Sequence, residues 1–470
     1  PPGFPVRSQV IQVQDDDMLV LVNGDLQMIH FDKYRQKTTP LWNRPLPLGT
    51  PLHAAQVDEK TQTVFTVTQS IHRQACQATA VGSEDGQIRW QRQLGMVCKG
   101  DPLVLGSEIL ALDQGGAFFR FDSGRLSQKS PSSWQTGGEI LAQSVDHLDG
   151  DAYLLAGPDG RSAYEIACVK KQGQNGEQNF DLLVRHYEPG KDLVEKTFSL
   201  SKARLAGTPG IMNGSLLVPL DDGSLLRQPV DGSRGAFGPG WKARHADVGA
   251  RGHVVVLSPE DFLTTDGSHG LSRWRWPAGD VYKEVRRVDL PQRLVSAPLV
   301  VPNTNGQADF QIAVADAGGF VRLLKGATLE EIRHWDLKGK QSGRVTAGPF
   351  LRGTQVLCVI NDSRLVSLDL SQDKPAWEYQ SQEGGIVGKP QLLGDMIVVA
   401  DISGQLVGLD PTTGKPHVPQ GFRLTANVGP TAAPVPLGSD LAFVPLTDGT
   451  FYFLPLSQLR QAAKPQDKNP

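Results

Sequence analysis

The chain has 470 residues, 39% of them hydrophobic, and carries 47 Lys+Arg against 50 Asp+Glu for a formal net charge of −3 at pH 7. That balance excludes the basic excess on which sequence-independent nucleic-acid binding depends, and no run reaches the roughly 18–20 apolar residues of a membrane-spanning helix. The 51 Gly and 33 Pro are spread between short apolar runs, a pattern of many strands and turns.

In chain order, one pattern recurs with drift: a small residue and Pro, an apolar run, an Asp/Asn/Gly turn, a second alternating run, and often a Trp. The run 18–22 precedes Asn23-Gly24, Phe31-Asp32 and Trp42. Gly49-Thr50-Pro51 leads to 64–67, Asp85-Gly86 and Trp90, and Asp101-Pro102-Leu103 leads to 109–112, Gly115-Gly116 and Phe121-Asp122. From Gly137 to about Leu205 one unit is longer and reads as a blade with an insertion, whose polar, Gly-broken stretch 170–179 is an exposed hairpin or loop. Thr208-Pro209-Gly210 then leads to 215–218 and Asp222-Gly223, and a degenerate copy around 254–256 ends at Trp274. The clearest copies follow. They run from Ala297-Pro298-Leu299 to Trp335, from Gly348-Pro349-Phe350 through Asn361-Asp362 to Trp377, and from Gly388-Lys389-Pro390 through Ser403-Gly404 to 409–415. The last runs from Gly429-Pro430 through 441–444 and Asp448-Gly449 to 451–453, and residues 457–470 form a polar tail.

Each step has a physical cause. Asn-Gly and Asp-Gly supply the positive φ angles of tight hairpins. Two-sided apolar runs such as 397–400 suit a strand buried between neighbouring sheets, and a recurring Trp gives each unit a large anchor whose N–H can reach a backbone carbonyl. Small sheets of this kind bury both faces only by stacking, and closing the stack into a ring protects their edges. The expectation is an all-β fold: a single β-propeller of four-stranded antiparallel blades over residues 1–456. The repeat spacing, roughly 40–50 residues, is that of propeller blades. The marks number about nine or ten where rings of four to eight are usual. Eight blades are expected, with seven, nine or ten open.

The motif Leu409-Asp410-Pro411-Thr412-Thr413-Gly414-Lys415, with the Asp-to-Trp copies Asp369…Trp377 and Asp32…Trp42, resembles the repeat of the quinoprotein-like (PQQ-repeat) propellers. The similarity spans nearly the whole chain. That family includes pyrroloquinoline-quinone dehydrogenases and non-enzymatic members such as the outer-membrane assembly lipoprotein propeller, and the non-enzymatic type fits better. The resemblance implies closure by N- and C-terminal strands sharing one sheet, and a periplasmic or envelope-associated location. The sequence opens Pro1-Pro2-Gly3 without Met or signal peptide, as expected of a trimmed piece whose missing N-terminal segment held an export signal or anchor.

The residues point away from catalysis. Quinone enzymes of this family often stack the cofactor on a disulfide of adjacent cysteines, and no Cys-Cys pair occurs here. Cys76 and Cys98 lie on what should be neighbouring strands, open to a bridge or to two half-buried thiols. No His pair has zinc-site spacing, and no catalytic residue, metal ligand or cofactor is assigned. The function expected is a non-catalytic binding or scaffolding module for another protein or an envelope component; the alternative is a quinone-dependent dehydrogenase or another enzyme with a central-channel site. Candidate contact residues are Arg273, Trp274, Arg275 and Trp276, since Arg and Trp are interface hot-spot types, with Lys170, Lys171 and Asn175 of the insertion. The competing reading of 273–276 is a blade strand with Trp inward and Arg outward. The Gly/Arg-rich connection 231–248 is a further candidate. Asn213-Gly214-Ser215 and Asn361-Asp362-Ser363 match glycosylation sequons and are more simply hairpin turns.

Overall fold

The computed structural model describes the chain apart from residues 1–8, 15, 23–24, 44, 49, 52–54, 59–60, 70–75, 94–97, 114, 123–137, 144–147, 173–176, 248, 278–280, 303–309, 339–342, 383, 425–428, 448, 450 and 461–470. The described residues form ten sheets and one short 3-10 helix, Leu456–Leu459, with no α-helix. They divide into two compact units.

The first unit holds residues 1–97 with 113–115 and 446–450. Its two sheets are antiparallel meanders, one led by Gln9–Gln14, Asp17–Val22 and Asp25–Asp32, the other by Thr63–Gln69, Cys76–Gly82 and Ile88–Gln93. Leu19, Leu26, Met28 and Trp42 of the first pack on Val64 and Val81 of the second. The Trp42 indole N–H donates to the Ser83 carbonyl at 2.9 Å.

The second unit contains the other eight sheets, here blades 1–8, spanning 103–143, 148–201, 210–237, 252–289, 299–336, 345–380, 386–423 and 435–455. Each is a meander whose strands pair with their sequence neighbours; Gly207–Thr208 adds to blade 4 as its one parallel partner. The first strands of blades 1 and 2, 3 and 4, 5 to 8, and 8 and 1 abut one another, so they surround the axis. The second and third strands carry the buried apolar positions, for example Ile312 and Val314 on one face of Gln311–Ala315 and Ala313 and Ala315 on the other. One face packs on the preceding blade and one on the next. The ring closes because Val435, Leu437 and Phe443 of blade 8 share a cluster with Ile109, Ala111 and Phe121 of blade 1, and the Ala433 N–H donates to Asp101 Oδ1 at 2.9 Å.

The turns follow the sequence. Asn213 and Gly214 take φ of 47° and 69°, and Asn361 and Asp362 take 49° and 59°, the left-handed pair of a two-residue hairpin. Both sequons are therefore hairpin turns. Trp335 of blade 5 donates its indole N–H to Gln372 O of blade 6 at 2.9 Å, and Trp377 of blade 6 donates to Pro411 O of blade 7 at 2.8 Å. A Cβ on Gly414 would overlap the Trp377 ring, so glycine there lets the indole lie flat on the turn. Eight sheets make up this unit, and the first unit's two bring the number among the described residues to ten.

Three features differ from expectation. Among the described residues, blade 8 has three strands, all from 435–455, rather than a sheet shared with the N-terminus; Gln9–Gln14 is already paired to Asp17–Val22. The long unit 137–205 divides, since Gly138–Gln143 completes blade 1 and blade 2 carries two ten-residue strands, Ala163–Gln172 and Gln178–Tyr187. Residues 456–459 are anchored, with Leu456 and Leu459 buried.

Candidate binding surface

The strand Gly270–Arg275 of blade 4 and the residue after it carry the Arg/Trp alternation. Trp276 is fully buried against Phe262 and against Met212, Leu217 and Leu225 of blade 3. The Arg227 guanidinium lies 5.3 Å from its ring and donates to Pro277 O at 3.2 Å. Trp274 is half-buried, its indole N–H on Thr264 Oγ1 at 3.0 Å. Arg273 pairs with Asp261 at 2.5 Å and donates to Gly326 O of blade 5 at 2.9 Å. Three of the four residues thus hold blades together. Arg275 is different: its side chain is 67% exposed, with Glu260 3.9 Å away.

Around Arg275 the structure gathers residues that the sequence did not single out. Tyr282 meets the Trp274 and Trp276 rings edge-on at 6.1 and 5.6 Å and is 40% exposed. Val281 beside it is 73% exposed, and Phe237 of blade 3 is 65% exposed. Gly238, next to Phe237, packs on the same Trp276 ring. Exposed apolar side chains and one exposed arginine around a buried tryptophan form the kind of surface in which interface hot spots occur. The one sequence signal for Phe237 was its place in the 231–248 connection; nothing local marked Tyr282.

The other expected contact residues lie elsewhere. Lys170 and Lys171 are exposed on the blade 2 hairpin, where Lys170 sits opposite Phe180 and Lys171 pairs with Asp181 at 2.5 Å. Asn175 and the Cys76 side chain fall outside the described residues, while Cys98 is buried near Gly100 O.

A second polar group lines the inner strands of blades 2–4. The register of Leu148–Ala156 jumps between Leu148 and Ala152, and this bulge presents Asp149 and Asp151. Asp151 pairs with Arg251 at 2.6 Å, and Arg204 bridges Asp149 at 3.7 Å and Asp221 at 3.0 Å. Lys99 donates to the Gly150 carbonyl, and burial holds its ammonium below the usual lysine range against the opposing pull of Asp151 and Asp149. Thr208 Oγ1 lies 3.0 Å from His253 Nδ1. Burial, then the Arg251 charge, pushes His253 down to about 4, and burial, then Asp151, pushes Tyr153 up to about 12. At neutral pH these are a neutral imidazole, a neutral phenol and ion pairs. They suit hydrogen bonding; general acid–base work is favoured by a pKa near the working pH.

Residues 306–420, within blades 5–7, match the family model of the outer membrane protein assembly factor BamB. The chain is a β-propeller, and this stretch of it is similar to the PQQ-repeat family. No curated protein matches. Among solved structures, the computationally designed Ika8 protein aligns at 13% identity with a TM-score of 0.50, over 77% of this chain and 97% of that one. BamB from Moraxella catarrhalis aligns at 14% identity and a TM-score of 0.34, over 78% and 92%. The WD40 β-propeller domain of Doa1 gives 10% and 0.41, over 77% and 94%. The assignment of the sheets to a ring rests on the chain's own blade packing. No helix among its described residues is long and apolar enough to cross a membrane.

Proposed function

We propose that this propeller is a non-catalytic protein-binding module of the bacterial cell envelope, working on the periplasmic side as a scaffold for a partner protein. The observation that carries the reading is the surface at the junction of blades 3 and 4, where Arg275, Val281, Tyr282 and Phe237 stand exposed and Tyr282 meets the buried Trp276 ring. A preordered base lowers the entropic cost of presenting such side chains. The family matched by residues 306–420 is named for outer-membrane protein assembly, which supports a protein partner and an envelope location. The alternative, quinone-dependent catalysis, draws no support from His253 or Tyr153, whose shifted affinities for protons make them poor partners for acid–base chemistry near neutrality.

Site-specific photo-crosslinking in the native cell tests the proposal. A benzophenone side chain at Val281 should give a discrete adduct with one protein, and the same probe at Leu392, 44% exposed on blade 7, should not. The adduct should vanish when Arg275→Glu and Tyr282→Ala are added. Equal labelling from both positions, or an adduct indifferent to those changes, refutes the assignment of this surface. A rise in melting temperature with Ca²⁺ and PQQ, the signature of a ligand selective for the folded state, would favour the enzymatic alternative instead.

A further inference from the structure

Among the described residues six blades of the ring carry four paired strands, blade 4 carries five and blade 8 carries three. We infer that blade 8 is the acceptor for an extended β-strand from a separate protein chain, which completes its sheet as the fourth strand. The site is distinct from the blade 3–4 surface and stands without it.

The backbone defines the edge. The third strand of blade 8, Phe451–Pro455, pairs with Leu441–Pro445 in the register Phe443↔Phe453 and Leu441↔Pro455. The Leu456 N–H donates to Asp440 O, which makes 456/440, and by alternation 454/442 and 452/444, the hydrogen-bonded pairs. The N–H and C=O groups of Phe451 and Phe453 therefore point to the open side. Pro455 and Pro445 both fall on the other class of pair, where neither needs an N–H for this ladder.

The neighbouring blades show what belongs there. In blades 5 and 6 the third-strand residues Val321 and Ser367 lie opposite Trp335 and Trp377 of the fourth strands. Those pairs are of the hydrogen-bonded class, because Leu337 N–H donates to Gly319 O and Ser381 N–H to Ser363 O in the same registers. Phe451 and Phe453 are the counterparts of Val321 and Ser367. Burial agrees. The third strands of blades 5, 6 and 7 are almost entirely buried, whereas Phe451 and Tyr452 are half-buried and Phe453 is 40% exposed. A Phe-Tyr-Phe edge without a charge or bulge is a template for strand addition.

The repeat fixes the chemistry of the occupant: an antiparallel segment with an aromatic residue set opposite Phe451 or Phe453. Arg460, the last described residue, is held by Asp395 of blade 7. The recognition mode is strand addition, with backbone bonds giving affinity and the aromatic side chain giving register.

The probe is a fluorescent peptide of residues 330–338, the fourth-strand sequence of blade 5, added to the full chain. It should bind saturably. N-methylation of the two amides that face the edge should weaken binding about tenfold or more, as two lost backbone hydrogen bonds imply, and methylation of the alternate amides should not. Phe453→Pro removes an outward donor at a position an edge strand tolerates and should abolish binding, while Phe453→Leu retains it. Hydrogen exchange provides a check independent of folding variants: the Phe451 and Phe453 amides should exchange faster than those of Val321 and Ser367 and slow on peptide addition. Protection in the free, dilute chain would mean the edge is already filled from within and overturns the inference. Protection that rises with protein concentration would make a second copy the occupant and overturns it too, as would a peptide that fails to bind or is blind to N-methylation.

Discussion

Replacing His253 with Gln isolates one titration at the inner strands of the ring. In the folded chain the imidazole sits near pKa 4, against 6.5 for the ordinary group, because burial and then the Arg251 charge oppose protonation. Between those values the unfolded chain holds a proton that the native chain does not. Stability from this group is therefore unimpaired above pH 6.5 and falls as the pH drops towards 4. Integrating the two titrations gives a loss of about 2 kcal/mol at pH 5 and about 3 kcal/mol at pH 4 relative to pH 8. The amide introduced by His253→Gln keeps a polar group for the Thr208 hydroxyl, which lies 3.0 Å from the native imidazole, but binds no proton. Urea denaturation of both proteins from pH 8 to pH 4, read as the difference between them, removes the contribution of the carboxylates they share. The variant should start at or below the native protein at pH 8 and gain on it progressively below pH 6.5. A difference that stays flat across the range would mean that His253 titrates alike in both states, and the account of its burial would be wrong.

The Trp locks make a second test: Trp377→Phe loses the 2.8 Å bond to Pro411 O and should cost about 1–2 kcal/mol in denaturant midpoint analysis. Gly414→Ala should destabilise by about 1–3 kcal/mol, because the residue sits at φ 68° beneath the Trp377 ring and an L side chain is strained there. The two changes should combine less than additively, since the smaller ring makes room for the new methyl group. At the blade 1–blade 2 junction, fully buried Arg185 bonds Glu165 at 2.9 Å and Gly116 O at 3.0 Å. Arg185→Met should cost about 3–5 kcal/mol by stranding the Glu165 charge, and adding Glu165→Leu should recover a large part of it; no recovery would mean that the pair does not act as a unit.

What the sequence revealed and what it hid divide along the range of the interactions. Asn213-Gly214 and Asn361-Asp362 were legible because a two-residue turn is decided by its own φ angles. Trp335 and Trp377 were legible because the repeat puts them at one position and their acceptors, Gln372 and Pro411, belong to the next copy of the same motif. Trp276 broke that rule. It ends the third strand of its blade rather than lying in the fourth, and Gly238 of blade 3 packs on its ring, so the drifted copy around 254–274 hid a change of anchor. Arg273–Trp276 read as a hot-spot string, yet only Arg275 faces solvent freely, because the acceptors that claim Arg273 and Trp274 come from Asp261, Gly326 and Thr264. Tyr282 and Gly238, the neighbour of exposed Phe237, meet the Trp276 indole from blades 4 and 3, and no local pattern encodes that meeting. The closing sheet shows the same division in reverse. Repetition predicted a fourth strand for blade 8, the chain places none there among its described residues, and the apolar Phe451 and Phe453 keep the pattern of a strand with a neighbour. A last unit with three strands among the described residues that preserves the side chains facing the fourth position suits a strand from elsewhere better than a solvent-facing edge, since exposed strands are ordinarily blunted by charge, bulges or proline.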